Sequence, residues 1–222
     1  MQLLANTTSP FVRIVRIAMI ERGLDPEVVI VDPWADDARL RAANAAARVP
    51  TLVLDDGTAL SECLLILRWI ETSRPPPQYP SILGTPDAAT GILARAGIAL
   101  GAIEASTITI ITRKVTAPVL FDDTPVGLRR RRTMVECMEQ IETILTDRAQ
   151  RFRADGKGPE HPGWAEELAA ASPTLDLICA VVLFDYQVFR HGKQPWLPHT
   201  PHLKELAAAL NSRPSLARTQ PC

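Results

Sequence analysis

Three hydroxyl side chains, Thr7, Thr8 and Ser9, stand directly before Pro10 and an apolar run with helical spacing. Serine at the N-cap and proline at the first helical position are ordinary signals for the start of a helix. The N-terminus of a helix also carries free N–H groups and partial positive charge, so a hydroxyl there could help to hold an anion such as a thiolate. Taken alone, the stretch favours capping over anion binding.

The cysteines, histidines and glycines of the chain form no recognisable catalytic, metal-binding or phosphate-binding motif. The cysteines lie far apart, with no C-x-x-C pair, so neither a disulfide framework nor a zinc site is expected. His199 and His202 form H-x-x-H in a proline-rich turn without a cysteine or carboxylate cluster beside them, and we expect no metal there. The chain has no glycine-rich phosphate motif and no G-x-S-x-G. The four cysteines are Cys63, Cys137, Cys179 and Cys222.

Composition predicts a globular protein. The 222 residues are 46% hydrophobic and 22% charged, enough for one large core or two modest ones. A formal charge of −1 argues against nucleic acid or an anionic membrane as a partner. Four consecutive arginines, 129 to 132, are expected on a solvated helix face. We expect no membrane span and no signal peptide, and therefore a cytoplasmic protein.

The segments around the hydroxyl cluster alternate between strand and helix. Gly23 ends the first helix as a C-terminal glycine cap. A strand, helix and strand in close succession imply a right-handed parallel crossover, and the hairpin at Asp56-Gly57 adds antiparallel strands to the same sheet. The predicted order is βαβαββα: strand 2–6, helix 11–22, strand 27–31, helix 36–47, two strands within 51–60, and helix 61–73.

Composition changes after residue 74, where a proline-rich segment begins. Such a segment is stiff and extended, as linkers are. Beyond it only helical patterns occur, so we predict an α/β domain at 1–76, a linker at 77–86 and an all-helical domain at 87–222. The predicted helices of the second domain are 87–115, 125–152, 174–191 and 201–210.

Pro50 stands at the start of a predicted strand, after Arg48 and Val49. A proline cannot donate to a sheet ladder, so the first residue of a strand suits it. If the Val49-Pro50 bond is cis, the backbone of Val49 turns outward and can pair with an extended peptide. Only about 5% of X-Pro bonds are cis, so chemistry alone does not favour this.

Several stretches in this order resemble the cytosolic glutathione S-transferases, and most closely the serine-type bacterial and plant-like members. In the thioredoxin-like domain they are S-P-F-V-R-I-V-R from Ser9, R-V-P-T-L from Arg48 and L-S-E-C-L-L-I-L from Leu60. In the helical domain they are D-Y-Q-V-F-R (185–190) and R-P-S-L-A-R-T (213–219). The resemblance covers nearly the whole chain and rests on the order and spacing of these pieces.

The resemblance implies that the protein uses glutathione as a co-substrate, with no metal and no other cofactor. Ser9 would donate to the glutathione sulfur, with Thr7 and Thr8 as less favoured candidates. Val49, before a cis Pro50, would pair with the cysteinyl backbone, and Glu62 would bind the γ-glutamyl ammonium. The full implied glutathione set is Ser9, Phe11, Trp34, Arg48, Val49, Pro50, Glu62 and Cys63, in which Trp34 shelters the peptide and Arg48 reaches the glycyl carboxylate or stays a surface residue.

Two residues depart from the family pattern. Serine-type members usually have serine where this chain has Cys63, and a thiol is a poor hydrogen-bond donor. We expect glutathione binding to be weakened by about 1 kcal/mol and not lost. Thr174 is followed by Asp176 two residues later and not by an acid three residues later, so the capping box of that helix is incomplete.

The pocket for an electrophile is expected between the domains, against the helix 87–115. Five residues of that helix lie along one stripe, and the alternative is that the stripe is simply core. An apolar pocket would favour a hydrophobic electrophile and a detoxification reaction. The five candidates are Leu100, Glu104, Thr107, Ile108 and Ile111.

Three functional classes are compatible with the resemblance. The first is an enzyme whose glutathione thiolate, formed beside Ser9, attacks an electrophilic carbon. The second is a binding protein that kept the scaffold without catalysis. Thiol-disulfide exchange is disfavoured because no sulfur stands at position 9. The family usually forms twofold homodimers, for which Trp69 is a candidate contact residue.

Overall fold

The computed structural model describes residues 1–116, 120–155 and 163–221. They form two compact units, one made of Met1–Ile82 with the described residues from Pro214 onward, the other of Leu83–Arg213. The strands are β1 (Gln2–Ala5), β2 (Glu27–Ile30), β3 (Thr51–Val53) and β4 (Ala59–Ser61). The helices are α1 (Pro10–Glu21), α2 (Ala38–Ala43), α3 (Cys63–Ser73), α4 (Pro86–Thr116), α5 (Pro125–Ala154), α6 (Trp164–Ala170), α7 (Leu175–His191), α8 (Pro201–Leu210) and α9 (Pro214–Ala217).

The four strands form one mixed sheet in the order β2-β1-β3-β4. β1 and β2 are parallel, as the strand-helix-strand order predicted, and β3 and β4 run antiparallel to their neighbours. Gly57 turns the hairpin between β3 and β4 with φ +84°, a conformation that suits glycine, while Thr58 N–H donates to Asp56 Oδ1 at 2.8 Å. The predicted βαβαββα order is confirmed.

Helices α1 and α3 pack against each other in the first unit. Each buries apolar residues at helical spacing, among them Ile14 and Ile17 on α1 and Ile66 and Ile70 on α3, all fully buried. α2 contributes Leu40 to a second cluster that contains Leu4 and Val31. The apolar residues of this unit therefore fix the two helix starts, at Pro10 and Cys63, relative to the strands.

The second unit is helical, as predicted, with α7 as its most buried element. Twelve of the seventeen residues of α7 are buried, and α4 packs against both α5 and α7. Two short helices were not predicted. α6 has seven residues, and α9 has four and packs against α1, so the residues from Pro214 onward, which we had expected in the helical domain, cluster with the first unit.

α4 is a longer apolar segment than the sequence analysis expected. It contains an 18-residue window of mean hydropathy 1.4, and by length and composition alone it could cross a membrane. The sequence-based expectation of no membrane span is not decided by this criterion. Core helices of soluble proteins pass the same test, and 39% of this window is buried against the rest of the chain.

The four consecutive arginines lie inside the first turns of α5 and do not share one role. Arg129 and Arg132 are exposed, as expected for a solvated face. Arg131 instead donates to the backbone carbonyl of Asp122 at 3.2 Å and lies over the ring of Trp196, 5.8 Å from its centroid. The prediction of a solvated face therefore holds for only part of this run.

The start of α7 is held by an ion pair in place of a capping box. Thr174 occupies the N-cap, but its side chain accepts no hydrogen bond from the helix and instead donates to the carboxylate of Asp176. Asp176 is 5% exposed and accepts from Arg95 Nε on α4 at 2.6 Å. Asp176 thus joins α7 to α4, which the sequence did not indicate.

Candidate functional site

The register of the sheet brings the predicted glutathione residues of the first unit to one edge. Leu4 pairs with Thr51, and Thr51 pairs with Ser61, so the end of β1, the start of β3 and the end of β4 lie side by side. Ser9 follows β1, the Arg48-Val49-Pro50 segment precedes β3, and Glu62 follows β4. Strand pairing therefore places Ser9 and Glu62, which are 53 positions apart in sequence, at the same edge of the sheet.

Ser9 is the N-cap of α1 and is half-buried. Its Oγ accepts a hydrogen bond from Val12 N–H at 3.3 Å, and its backbone carbonyl accepts from Arg13 N–H at 3.1 Å. A hydroxyl has one proton to donate besides its acceptor lone pairs, and among the described residues none accepts the proton of Ser9. Capping uses the oxygen as an acceptor, so the O–H remains able to donate to an anion.

The two neighbouring threonines are less suited to that role. The hydroxyl of Thr8 donates to Asn6 Oδ1 at 2.9 Å, and its backbone N–H donates to the same oxygen at 3.0 Å. Thr7 lies in the turn before the cap and is exposed. The preference for Ser9 over Thr8 thus gains a physical reason, because the proton of Thr8 already has an acceptor.

The segment before β3 has the expected cis peptide bond between Val49 and Pro50. Neither the N–H nor the C=O of Val49 is hydrogen-bonded to any residue in the described part of the chain. The preceding carbonyl, that of Arg48, accepts from Thr51 Oγ1 at 2.7 Å and from Asn44 Nδ2 at 3.3 Å. The backbone of this segment is therefore anchored on one side and leaves the polar groups of Val49 available.

The start of α3 leaves backbone donors without a cap. Glu62 is the N-cap, with φ +71°, and its side chain does not cap the helix. Within the residues that the structure describes, the N–H groups of Cys63, Leu64 and Leu65 have no hydrogen-bond acceptor, and the first helical bond runs from Ile66 N–H to Glu62 C=O at 3.0 Å. A left-handed backbone at a residue other than glycine costs about 1–3 kcal/mol, which is a reason to look for a function at Glu62.

The carboxylate of Glu62 faces Arg48 across the site. Arg48 Nη1 lies 3.3 Å from Glu62 Oε1, and both side chains are largely exposed. The resemblance implied a glycyl carboxylate or the solvent as the surroundings of Arg48, and no sequence pattern indicated this ion pair.

Cys63 is buried at the first position of α3. Burial, reinforced by the negative charge of Glu62, raises the pKa of its thiol to about 12. The thiol is therefore protonated at neutral pH and is a poor nucleophile. This agrees with the sequence-based judgement against thiol-disulfide exchange.

Trp34 and Phe11 flank the same edge of the sheet. Trp34 lies in the turn after β2 with 59% of its surface exposed. Its backbone N–H donates to Asp32 Oδ1 at 2.9 Å. Phe11 is half-buried at the second position of α1. The exposed indole of Trp34 lacks the packing expected for a core residue.

The five candidates for an electrophile pocket lie off the buried face of α4. The helix buries a different stripe, which includes Ala96, Ala99 and Ile103. Glu104 is exposed and the other four candidates, Leu100, Thr107, Ile108 and Ile111, are half-buried. Partial burial of four of the five is compatible both with a pocket lining and with a place at the margin of the core.

Two features of the site had weak or no signals in the sequence. Asn44 ends α2 and donates to both Arg48 C=O and Thr51 Oγ1, which no spacing rule indicates. His202 has a structural role, because its ring lies 2.8 Å from Glu142 Oε1 and the Glu142 carboxylate accepts hydrogen bonds from the first N–H groups of α8, whereas His199 is exposed. Over the described ranges no group of three or more His, Cys, Asp or Glu side chains is placed to hold a metal ion.

Comparison with known proteins identifies relatives along the whole chain. Residues 8–73 match the sequence model of the glutathione S-transferase N-terminal domain. The uncharacterized GST-like protein YibF of Escherichia coli is 26% identical over 221 residues, which cover 100% of this chain and 98% of that protein.

Solved structures share the fold. A glutathione S-transferase from Methylobacterium radiotolerans, in complex with glutathione sulfonate, aligns with a TM-score of 0.79 at 27% identity, over 99% of this chain and 94% of that one. A glutathione S-transferase from Methylobacillus flagellatus with bound glutathione aligns with a TM-score of 0.77 at 21% identity, over 100% and 99% of the two chains. The expected fold, a thioredoxin-like domain followed by a helical region, is confirmed. Residues 8–73 therefore match the N-terminal domain of glutathione S-transferases, and the chain is similar over almost its whole length to a solved glutathione S-transferase.

Proposed function

We propose that this protein is a glutathione transferase in which the hydroxyl of Ser9 stabilises the thiolate of glutathione. The observation that carries the proposal is the state of Ser9: its oxygen caps α1, while its proton has no acceptor among the described residues. Relatives solved with glutathione or its sulfonate support the choice of ligand.

The energy required is within reach of this arrangement. A thiol of pKa about 8.5 is only about 3% ionised at pH 7, and lowering its pKa by two units requires about 2.7 kcal/mol. One hydrogen bond to a charged group contributes about 1.5–3 kcal/mol, and a helix N-terminus adds about 0.3–1 kcal/mol. Ser9 and the start of α1 together can therefore supply the shift.

The rest of the tripeptide would be held by backbone groups and one carboxylate. The N–H and C=O of Val49, which have no partner among the described residues, suit strand-like pairing with the cysteinyl residue. The uncapped N–H groups at the start of α3 suit a carboxylate, and Glu62 beside them suits an ammonium group. An α-amino acid end such as that of the γ-glutamyl residue carries both charges.

The reaction that follows is nucleophilic attack by sulfur. The thiol loses its proton to solvent, the thiolate forms a carbon-sulfur bond with an electrophilic carbon, and a leaving group departs with its electron pair or the electrons move into the acceptor. We infer a hydrophobic electrophile because the half-buried candidates on α4 include Leu100, Ile108 and Ile111.

Three variants at one position separate capping from catalysis. Ser9→Ala removes the cap and the donor together, so it should lower both stability, by about 1 kcal/mol, and turnover of an aryl halide. Ser9→Asp keeps a capping oxygen but cannot donate at neutral pH and repels a thiolate, so stability should be retained and turnover lost. Thr7→Ala, which removes an adjacent exposed hydroxyl, is the control and should retain both.

The assays are thermal unfolding, the ultraviolet absorbance of bound glutathione thiolate, and conjugation of an aryl halide. Turnover of Ser9→Asp equal to that of wild type would show that the hydroxyl proton has no role in the reaction. If wild type binds glutathione without turnover of any electrophile in a screen, the chain is a binding protein and not an enzyme.

We further propose that the protein works as a homodimer. Exposed apolar residues support this proposal, namely Leu64 and Leu65 on α3, beside the half-buried Trp69. Light scattering should give twice the mass of 24.3 kDa. A mass of one chain at micromolar concentration would refute the dimer without affecting the role of Ser9.

A further inference from the structure

Arg48 forms an ion pair with Glu62, whose carboxylate is the group that binds the ligand's ammonium in the proposed function. Arg48 Nη1 and Glu62 Oε1 are 3.3 Å apart, and among the described residues Arg48 is the one cation in an ion pair with Glu62. The two residues are fourteen positions apart, on separate segments at the same edge of the sheet.

Both backbones are fixed, so the opposition of the two side chains is built into the fold. The carbonyl of Arg48 accepts hydrogen bonds from Thr51 Oγ1 and Asn44 Nδ2, and Thr51 is fully buried. Glu62 has a left-handed backbone, and its carbonyl accepts the first helical bond of α3. Thr51 also pairs with Ser61, the residue before Glu62, which sets the distance between the two segments.

We propose that Arg48 is a specificity-determining residue that occupies the carboxylate of Glu62 in the free protein and yields it to the ammonium group of the ligand. This inference rests on the proposed function, which places that ammonium group at Glu62. Binding of glutathione then exchanges one ion pair for another, whereas a ligand without the ammonium leaves the pair of Arg48 and Glu62 intact.

The exchange has a measurable consequence for selectivity. In the wild type, glutathione binding includes the loss of an existing ion pair, while binding of the same tripeptide without its amino group does not. In a variant without the charge of Arg48 there is no ion pair to lose, so binding of glutathione is strengthened and binding of the tripeptide without its amino group is not. An exposed ion pair changes an equilibrium by between about 1.4-fold and 5-fold. The affinity for glutathione relative to the tripeptide without its amino group should therefore be higher by that factor in the variant than in wild type.

The experiment is isothermal titration of two ligands into four proteins. The ligands are glutathione and glutaryl-cysteinyl-glycine, which lacks only the ammonium group. The proteins are wild type, Arg48→Gln, Arg48→Lys and Arg151→Gln, the last being a control that removes an exposed arginine of α5 in the other unit. We expect the ratio of the two affinities to rise up to about fivefold in Arg48→Gln, and to stay near the wild-type value in Arg48→Lys and Arg151→Gln.

Two results would overturn the inference while leaving the proposed function in place. If Arg48→Gln weakens both ligands by the same factor, Arg48 binds a carboxylate that the ligands share. If neither affinity changes, the ion pair has no part in binding. Failure of wild type to bind either tripeptide would refute the proposed function itself, and with it the role of Arg48.

Discussion

Lowering the pH should destabilise this protein through one buried histidine of the helical unit. His191 ends α7 with 1% of its surface exposed, and its Nε2 lies 3.0 Å from Ser106 Oγ on α4. Its ring packs against Trp196, with 5.2 Å between centroids, while its Nδ1 is buried without a partner in the described part of the chain.

The pKa of His191 is lowered to about 4, first by burial, and then by the charges of Arg113 and Arg190, which outweigh the opposite effect of Asp122. Because the unfolded histidine titrates near 6.5, the unfolded state binds more protons between these two values, and stability rises with pH across that window. The contribution is complete above about pH 6.5 and is lost progressively as the pH falls towards 4. For these two pKa values the loss between pH 7 and pH 5 is about 2 kcal/mol.

Urea unfolding at pH 7 and pH 5 measures this loss, with His191→Gln as the reference protein. Glutamine keeps a group able to bond Ser106 but does not titrate, so the pH dependence of all other groups cancels in the difference. We expect wild type to lose about 2 kcal/mol more than His191→Gln over this range. The fluorescence of Trp196 should report the same protonation in the native state, with a midpoint near 4.

Equal pH dependence of the two proteins would refute the reasoning, because it would mean that His191 titrates alike in the folded and unfolded chains. A midpoint near pH 6.5 in the Trp196 fluorescence of the folded protein would mean that burial does not lower the pKa of His191.

Two further predictions concern single residues. Cys63→Ser restores a hydroxyl donor at the start of α3 and should tighten glutathione binding by about 1 kcal/mol, or roughly fivefold, in isothermal titration; equal affinities would show that the side chain at position 63 does not contact the ligand. Asp176→Asn removes the charge of a buried carboxylate that pairs with the partly exposed Arg95 and should lower the free energy of unfolding by about 1–3 kcal/mol, whereas Asp87→Asn, at an exposed position in the first turn of α4, should change it by less than about 0.5 kcal/mol.

The sequence alone determined the order of the elements and indicated a resemblance to the glutathione S-transferases. Hydrophobic period, proline and glycine positions and the hairpin at Asp56-Gly57 are local signals. They predicted the elements from β1 to α3, and the four longest helices of the second unit, to within a few residues. The short helices α6 and α9 were not predicted, because four to seven residues are too few to show a helical period. The window of α4 that meets the membrane criterion was missed because single charged residues interrupt it.

The candidate site was predicted as a set of residues, and the tertiary structure decided how they meet. Ser9, Val49 and Glu62 were named from the resemblance, but only strand pairing between Leu4, Thr51 and Ser61 explains why they share one edge of a sheet. The contacts of Arg48, Asn44 and His191 join residues between seven and eighty-five positions apart. No local pattern encodes such contacts, because they depend on which segments the packed core brings together.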